Sequence, residues 1–65
     1  MRVTVNDDEV QIAEDETVAA LLTRLGMPDR GIAVAVNAVV LPRSQWHSRV
    51  PVGARIEVVT AVQGG

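Results

Sequence analysis

The sequence has 65 residues, of which 48% are hydrophobic, and its formal net charge is −2 at pH 7. This length allows one domain at most, and the absence of Cys excludes a disulfide scaffold and a thiolate zinc site. The acidic balance and the lack of a basic cluster argue against a nucleic-acid partner, which proteins bind through its phosphates.

The N-terminal segment predicts a β-hairpin. Residues 1–5 alternate between apolar and polar side chains, as in a half-buried strand, with Val3 and Val5 on one face. A cluster of Asn and Asp at residues 6–8 is typical of a turn, and residues 10–13 are the predicted return strand.

A short amphipathic helix is predicted over residues 17–25. Thr17 is the expected N-cap, because its hydroxyl can accept a free N–H of the first turn, and Gly26 can end the helix in a left-handed conformation. Asp15 and Glu16 suit the positive end of the helix dipole. Four apolar side chains form one stripe: Val18, Leu21, Leu22 and Leu25.

Three further strands are predicted after the helix. Ile32–Val36 alternates, residues 39–41 form a short strand after a turn, and Arg55–Thr60 is the last strand. Residues 43–49 show no clear period and are predicted as a loop or a short helical turn, which Trp46 is expected to pin to the body by packing.

This order of elements predicts an α+β fold in which one helix covers one face of a sheet of four or five strands. The predicted inward residues of the sheet are Val3, Val5, Ile32, Val34, Val36, Ile56 and Val58. The uncovered face would carry Ala33, Ala35, Glu57 and Val59.

Few side chains are suited to catalysis. The sequence has no Cys or Lys nucleophile, and His47 is expected to be a solvated loop residue, because a general base needs a positioned partner. The acidic run of Asp7, Asp8 and Glu9 is expected to be a solvated turn rather than a metal site. We therefore predict no cofactor, no metal and no enzymatic activity.

The longest apolar runs have five residues, at 18–22 and 32–36, so no membrane span is predicted. The N-terminus turns polar by Asn6 and lacks the apolar centre of a signal peptide. We expect a cytoplasmic protein.

The remaining chemical signal is the final pair, Gly64 and Gly65. At average glycine usage a chain would end in this way by chance roughly 0.5% of the time, although a chosen chain boundary or simple fraying would also explain it. A Gly-Gly end can thread a narrow channel, and its carboxylate, once activated as an acyl-adenylate, can accept sulfur, an amine or a thiol. We therefore predict a domain of residues 1–60 and a flexible tail of residues 61–65.

Two segments resemble the sulfur carrier proteins of thiamine biosynthesis, which have the ubiquitin-like β-grasp fold. Residues 36–46 are similar to the family pattern vN…vvPRs.W, and residues 53–65 are similar to its ending GD.IEvv.avqGG. The resemblance covers the whole chain. Two departures are Ala54, where the family usually has Asp, and Ala38, where a tight turn commonly has Gly.

The resemblance implies a sulfur-transfer route. An E1-like adenylating enzyme would use ATP to join AMP to the Gly65 carboxylate, and sulfur from a donor such as a cysteine desulfurase would replace AMP to give a thiocarboxylate. Thiazole synthase would then use this sulfur for the thiazole ring of thiamine. The family fold would also place the first and last strands side by side and parallel in a mixed sheet, with Ile32–Val36 on the other side of the last strand.

That topology would bring Ala33, Ala35 and Val59 together as a flat apolar patch beside the tail. We expect this patch to be a partner-docking surface, although alanines that are merely tolerated on an open sheet face explain it equally well. The predicted partner-binding residues of the tail are Ala61, Val62 and Gln63.

Other functions share parts of this pattern. A ubiquitin-like modifier shares the tail and its activation but forms isopeptide bonds, and the small subunit of molybdopterin synthase inserts a related tail into a large partner. A plain interaction module would carry inert glycines. The absence of Lys would limit self-conjugation of an activated tail, but a genome that prefers Arg codons would produce the same composition.

Overall fold

The computed structural model describes residues 1–60, which form a five-stranded sheet, one α-helix and one 3-10 turn. The predicted tail, residues 61–65, lies outside the described residues. The elements in chain order are β1 (Arg2–Val5), β2 (Asp8–Gln11), α1 (Val18–Arg24), β3 (Ile32–Val36), β4 (Val39–Val40), the 3-10 turn (Arg43–Gln45) and β5 (Arg55–Thr60).

The sheet has the strand order β2-β1-β5-β3-β4, which places the last strand at its centre. Strands β1 and β5 are parallel, whereas the other neighbouring pairs are antiparallel. Helix α1 covers the inner face of this sheet, where Val34 and Ile56 are buried. The predicted α+β fold with a mixed β-grasp sheet is therefore confirmed.

Helix α1 begins at the predicted position. Thr17 is extended, and its Oγ1 accepts a hydrogen bond from the Ala20 N–H at 3.1 Å. The helix is followed by Gly26, whose φ of +75° is left-handed and favours glycine at a helix end. Both predicted helix ends are confirmed to within a residue.

The core lies between α1 and the sheet. Its buried side chains are Val3, Val5, Ile12, Val18, Leu21, Leu22, Val34, Trp46, Val50, Ala54 and Ile56. The other predicted inward residues, Leu25, Ile32, Val36 and Val58, pack at its margin and are half-buried. The departure at Ala54 places a methyl group in this core, while the Ala54 N–H donates to the Pro51 carbonyl at 3.2 Å and closes the turn.

The hairpin differs from its prediction in the length of its turn and in the first residue of its return strand. The turn contains only Asn6 and Asp7, with φ values of +48° and +71°, and Val5 pairs directly with Asp8. Positive φ at both central residues permits a two-residue turn whose twist matches that of the strands. The return strand therefore starts at Asp8, two residues earlier than predicted.

The segment after β4 is held by Trp46, as predicted. Its indole is buried, and the Nε1–H donates to the Leu41 carbonyl at 3.1 Å. The same segment caps the helix, because the Val18 and Ala19 N–H groups donate to the carbonyls of Ser48 and Trp46 at 3.1 and 2.8 Å. The predicted third residue of β4, Leu41, lies outside that strand although its N–H still donates to β3.

Ala38 occupies the turn between β3 and β4 with a φ of +69°, where a Cβ is sterically disfavoured. We expect Ala38→Gly to raise the free energy of unfolding by about 1 kcal/mol and the Tm by about 4–8 °C. The control is Ala20→Gly on the exposed side of α1, which should lower stability by about 1 kcal/mol. Thermal unfolding measures both, and an unchanged or lower Tm for Ala38→Gly would contradict strain at this turn.

Glu16 lies directly before the N-cap and forms an ion pair with Arg24 in the last turn of α1. Its Oε2 accepts the Arg24 Nε–H at 3.0 Å, and its Oε1 accepts the Ala13 N–H at 3.1 Å. The hydrogen bond from Arg24, followed by that from Ala13, holds the pKa of Glu16 below its usual value of 4.5. The ion pair ties α1 to the segment before it, and Glu16 lies directly before the N-cap, as predicted.

This ion pair predicts a pH-dependent contribution to stability. Since the pKa of Glu16 is lower in the folded state, the contribution is complete above the unfolded pKa and disappears as the pH falls through the folded pKa. We expect Glu16→Gln to lower the Tm at about pH 7 and to match the wild type at about pH 2. Exposed Glu14→Gln is the control, and a Tm difference that persists in acid would contradict the prediction.

Candidate functional site

The sheet face opposite α1 is the surface on which the predicted docking residues lie. Ala33 pairs directly with Val59, and Ala35 pairs with Glu57 on the same two strands. Val59 is 62% exposed, Ala33 is exposed and Ala35 is half-buried. The structure therefore brings Ala33, Ala35 and Val59 together, as the predicted topology required; their role in binding a partner stays a prediction.

Val40 belongs to the same surface, although it is absent from the predicted site. It pairs with Ala35, so the two side chains share a face, and it is 71% exposed. A two-residue strand has too little alternation to reveal its faces, and only the register of the β3–β4 hairpin identifies Val40. We call Ala33, Ala35, Val40 and Val59 the outer patch.

The other half of the same sheet face is charged. An Arg2 nitrogen lies 3.5 Å from a Glu9 oxygen, and an Arg55 nitrogen lies 3.7 Å from an Asp7 oxygen. Exposed pairs of this kind contribute little to stability. The charged side chains of this face lie on β1, β2, their turn and the first part of β5, where Glu57 pairs with Ala35, and the outer patch is the apolar part of the face.

The acidic run of the hairpin is split by these contacts. Asp7 faces Arg55, Glu9 faces Arg2, and Asp8 opens strand β2. Within residues 1–60, no group of three His, Asp or Glu side chains is arranged to hold a metal ion. His47 is exposed in the segment after the 3-10 turn.

A cleft of about 200 Å³ lies on the helix side of the molecule, between α1 and the 3-10 turn. Its wall includes Leu22, Met27, Trp46 and His47, and the Arg43 guanidinium lies 5.5 Å from the centre of the Trp46 ring. This cleft is on the opposite side of the sheet from the outer patch. In the part of the chain that the structure describes, no helix is long and apolar enough to cross a membrane.

The position of β5 links the outer patch to the predicted reactive end. Strand β5 ends at Thr60, the residue after Val59, so the last described residue lies beside the patch. The predicted reactive residues Gly64 and Gly65 lie outside the described residues. So do the three predicted partner-binding residues of the tail, Ala61, Val62 and Gln63.

Comparison with known proteins decides the family. The family model described as the ThiS family matches residues 1–65. The chain belongs to the ThiS family. It is 35% identical over 66 residues to the sulfur carrier protein ThiS of Escherichia coli, and the match covers all of both chains. The predicted family is confirmed, and with it the predicted role of a sulfur carrier in thiamine biosynthesis.

Solved structures agree with this assignment. The crystal structure of the thiamine biosynthesis protein ThiS from Geobacter metallireducens matches all of both chains with a TM-score of 0.82 at 29% identity. An NMR solution structure of a thiamine biosynthesis protein from the same organism has a TM-score of 0.75 at 30% identity, and the match covers 100% of this chain and 88% of that one. The ThiS fold of this chain is therefore shown by structure as well as by sequence.

A second curated relative is a larger protein. The chain is 34% identical over 66 residues to a thiazole synthase of Paramagnetospirillum magneticum, and it spans 20% of that protein. Thus a segment similar to a ThiS-family chain occurs within a protein that is named as a thiazole synthase.

Proposed function

We propose that this ThiS-family chain acts as a co-substrate rather than as an enzyme, and that the Gly65 carboxylate is its reactive group. The observation that carries the proposal is the family match over residues 1–65, which includes the final Gly64 and Gly65. The exposed outer patch beside the end of β5 is consistent with a body that other proteins recognise.

The proposed chemistry has three steps on the chain. A carboxylate oxygen of Gly65 attacks the α-phosphorus of ATP in an E1-like adenylating enzyme, and pyrophosphate leaves. The outer sulfur of a persulfide, supplied by a donor such as a cysteine desulfurase, then attacks the acyl carbon, and AMP leaves as the C–S bond forms. A thiol cleaves the S–S bond of this product, which leaves the thiocarboxylate on Gly65 and joins the thiol to the donor as a disulfide. The adenylate is needed because a free carboxylate, ionised at neutral pH, is a poor electrophile.

Thiazole synthase is the proposed acceptor of the sulfur. Its support is the relative from Paramagnetospirillum magneticum, a thiazole synthase that includes a segment similar to this chain. If the carrier and the synthase interact directly, a carrier-like segment in the same polypeptide as the synthase is expected. Since activation requires ATP, we place the carrier in the cytoplasm.

In this proposal the chain has two functional parts. Residues 1–60 form the body that partners recognise, and residues 61–65 form the tail that enters their active sites. Gly64 and Gly65 carry no side chains, so a narrow channel can admit them. Ala61, Val62 and Gln63 would contact the partner between the body and the reaction centre.

The test of the reacting atom is the mass of the C-terminal peptide. The chain is incubated with ATP, a sulfur source and cell extract, and its C-terminal peptide is measured at high mass resolution. We expect one oxygen at Gly65 to be replaced by sulfur. High resolution is required because oxidation of Met1 or Met27 adds nearly the same nominal mass. An unmodified Gly65 would contradict the proposal, and amide links to lysines of other proteins would favour a modifier.

The outer patch is the proposed docking surface for the adenylating enzyme. Val59→Asp would bury a charge without a partner in that interface, so we expect the KM for the chain to rise about 10-fold with kcat little changed. Steady-state pyrophosphate release from ATP measures both constants. The matched control is Val39→Asp, because Val39 is similarly exposed, at 68%, but pairs with inward-facing Val36. Equal KM values for wild type and Val59→Asp would contradict docking through this face.

A further inference from the structure

Strand β5 is supported unequally by its two neighbours. On one side β3 pairs with it from Val36↔Ile56 to Ile32↔Thr60, which is the full C-terminal part of the strand. On the other side β1 pairs with it only at Thr4↔Arg55 and Val5↔Ile56. The chain of β1 then turns away at Asn6, whose φ is +48°. Beyond Ile56 the β1 side of β5 therefore needs another hydrogen-bonding partner.

The side chain of Asn6 is that partner. Its backbone N–H donates to the Ile56 carbonyl at 2.9 Å, which is the last backbone bond between the two strands. Its Oδ1 accepts the Val58 N–H at 2.9 Å, and its Nδ2 donates to the Val58 carbonyl at 3.2 Å. A side-chain amide carries the donor and the acceptor of a peptide group. Asn6 thus extends the parallel ladder after its own backbone has left the sheet.

Two requirements meet at this position, and asparagine satisfies both. The turn demands a left-handed φ, which Gly, Asn and Asp adopt more readily than other residues. The N–H and C=O of Val58 need an acceptor and a donor from the facing side chain. Gly has no side chain to supply them, and an ionised Asp supplies only the acceptor.

Asn37 makes comparable hydrogen bonds at the other end of β5. It also lies in a two-residue turn at positive φ, +51°, and its Oδ1 accepts the Arg55 N–H at 2.9 Å. Its own N–H donates to the Arg55 carbonyl at 2.8 Å. Asn37 therefore holds the first residue of β5, whereas Asn6 holds a residue two positions before Thr60.

We propose that Asn6 is a positioning residue for the reactive tail. By holding the backbone N–H and the backbone C=O of Val58, it keeps the end of β5 in the sheet and sets the direction of the strand at Thr60. The end of β5 then has less conformational freedom to lose when the carrier presents its C-terminus to the adenylating enzyme. The inference rests on the proposed function, and Asn6 itself touches no reacting atom.

The experiment compares Asn6→Gly with Asn37→Gly, since each keeps a residue suited to positive φ and removes one side-chain amide. Amide hydrogen exchange should accelerate about 10-fold or more at Val58 in Asn6→Gly, and at Arg55 in Asn37→Gly. In pyrophosphate release by an E1-like adenylating enzyme that accepts the wild type, Asn6→Gly should lower kcat about 5- to 10-fold, with KM within about twofold. Asn37→Gly should leave both constants within about twofold of the wild type.

Asn6→Asp is the conservative variant, because it retains the acceptor for the Val58 N–H and loses the donor. Its kcat should lie between those of the wild type and Asn6→Gly. A wild-type kcat for Asn6→Gly, or an equal loss of kcat in Asn37→Gly, would overturn the positioning role. Deletion of Gly65 separates the two ideas: an active deletion variant refutes the proposed function, whereas an inactive one beside a fully active Asn6→Gly refutes only the role of Asn6.

Discussion

Deletion of Gly65 is expected to lower the rate of adenylation of the chain about 100-fold or more while the fold is preserved. Removing one residue shifts the terminal carboxylate by about 3.3 Å along an extended chain. A displacement of about 1 Å from the reactive geometry can already cost a factor of about 100. The deletion leaves residues 1–60 intact, and these contain the core side chains that the structure describes, so we expect the fold to be preserved.

The measurement is carrier-dependent pyrophosphate release from ATP, together with the mass of the C-terminal peptide after sulfur transfer. The control adds one glycine after Gly65, which keeps the chemical nature of the end but moves the carboxylate outward by a similar distance. We expect this extended chain to be similarly impaired. Adenylation of the deletion variant at the wild-type rate would contradict a role for Gly65 as the reacting residue.

Leu21→Ala is expected to lower the free energy of unfolding by about 2–5 kcal/mol. Leu21 is fully buried between α1 and the sheet, so its truncation removes apolar contacts and leaves a cavity. A domain of this size has a total stability of roughly 3–10 kcal/mol. A large part of the population is therefore expected to unfold near physiological temperature.

Urea denaturation followed by Trp46 fluorescence measures this loss. The control is Val40→Ala, which truncates a side chain that is 71% exposed and should change stability by about 0.5 kcal/mol or less. A loss of about 1 kcal/mol or less in Leu21→Ala would mean that the core collapses around the cavity, contrary to the expectation.

The helix, its ends and its apolar stripe were predictable because their signals are local. The Thr17 hydroxyl, the stripe that includes Leu21 and the left-handed Gly26 all act within a few residues of one another. The alternation of Ile32–Val36 and Arg55–Thr60 likewise separated inner from outer side chains, so Ala33 and Val59 were placed on the correct face.

The hairpin and the outer patch show where local signals end. Asp8 belongs to the strand because the turn adopts two positive φ values, and the run of turn-forming residues did not mark where the turn ended. Val40 joins the outer patch through its pairing with Ala35, which a two-residue strand does not reveal. Both outcomes depend on strand register, which is set by contacts across the sheet.

The sequence by itself determined the family, the α+β fold, the helix boundaries and the apolar faces, because these follow from short-range spacing and from motifs contiguous in the chain. The tertiary structure decided which distant groups meet. The amide of Asn6 reaches the Val58 peptide 52 residues away only because β1 and β5 are neighbours at the centre of the sheet. A hydrogen bond of this kind depends on a distance in space, and the order of residues along the chain does not encode that distance directly.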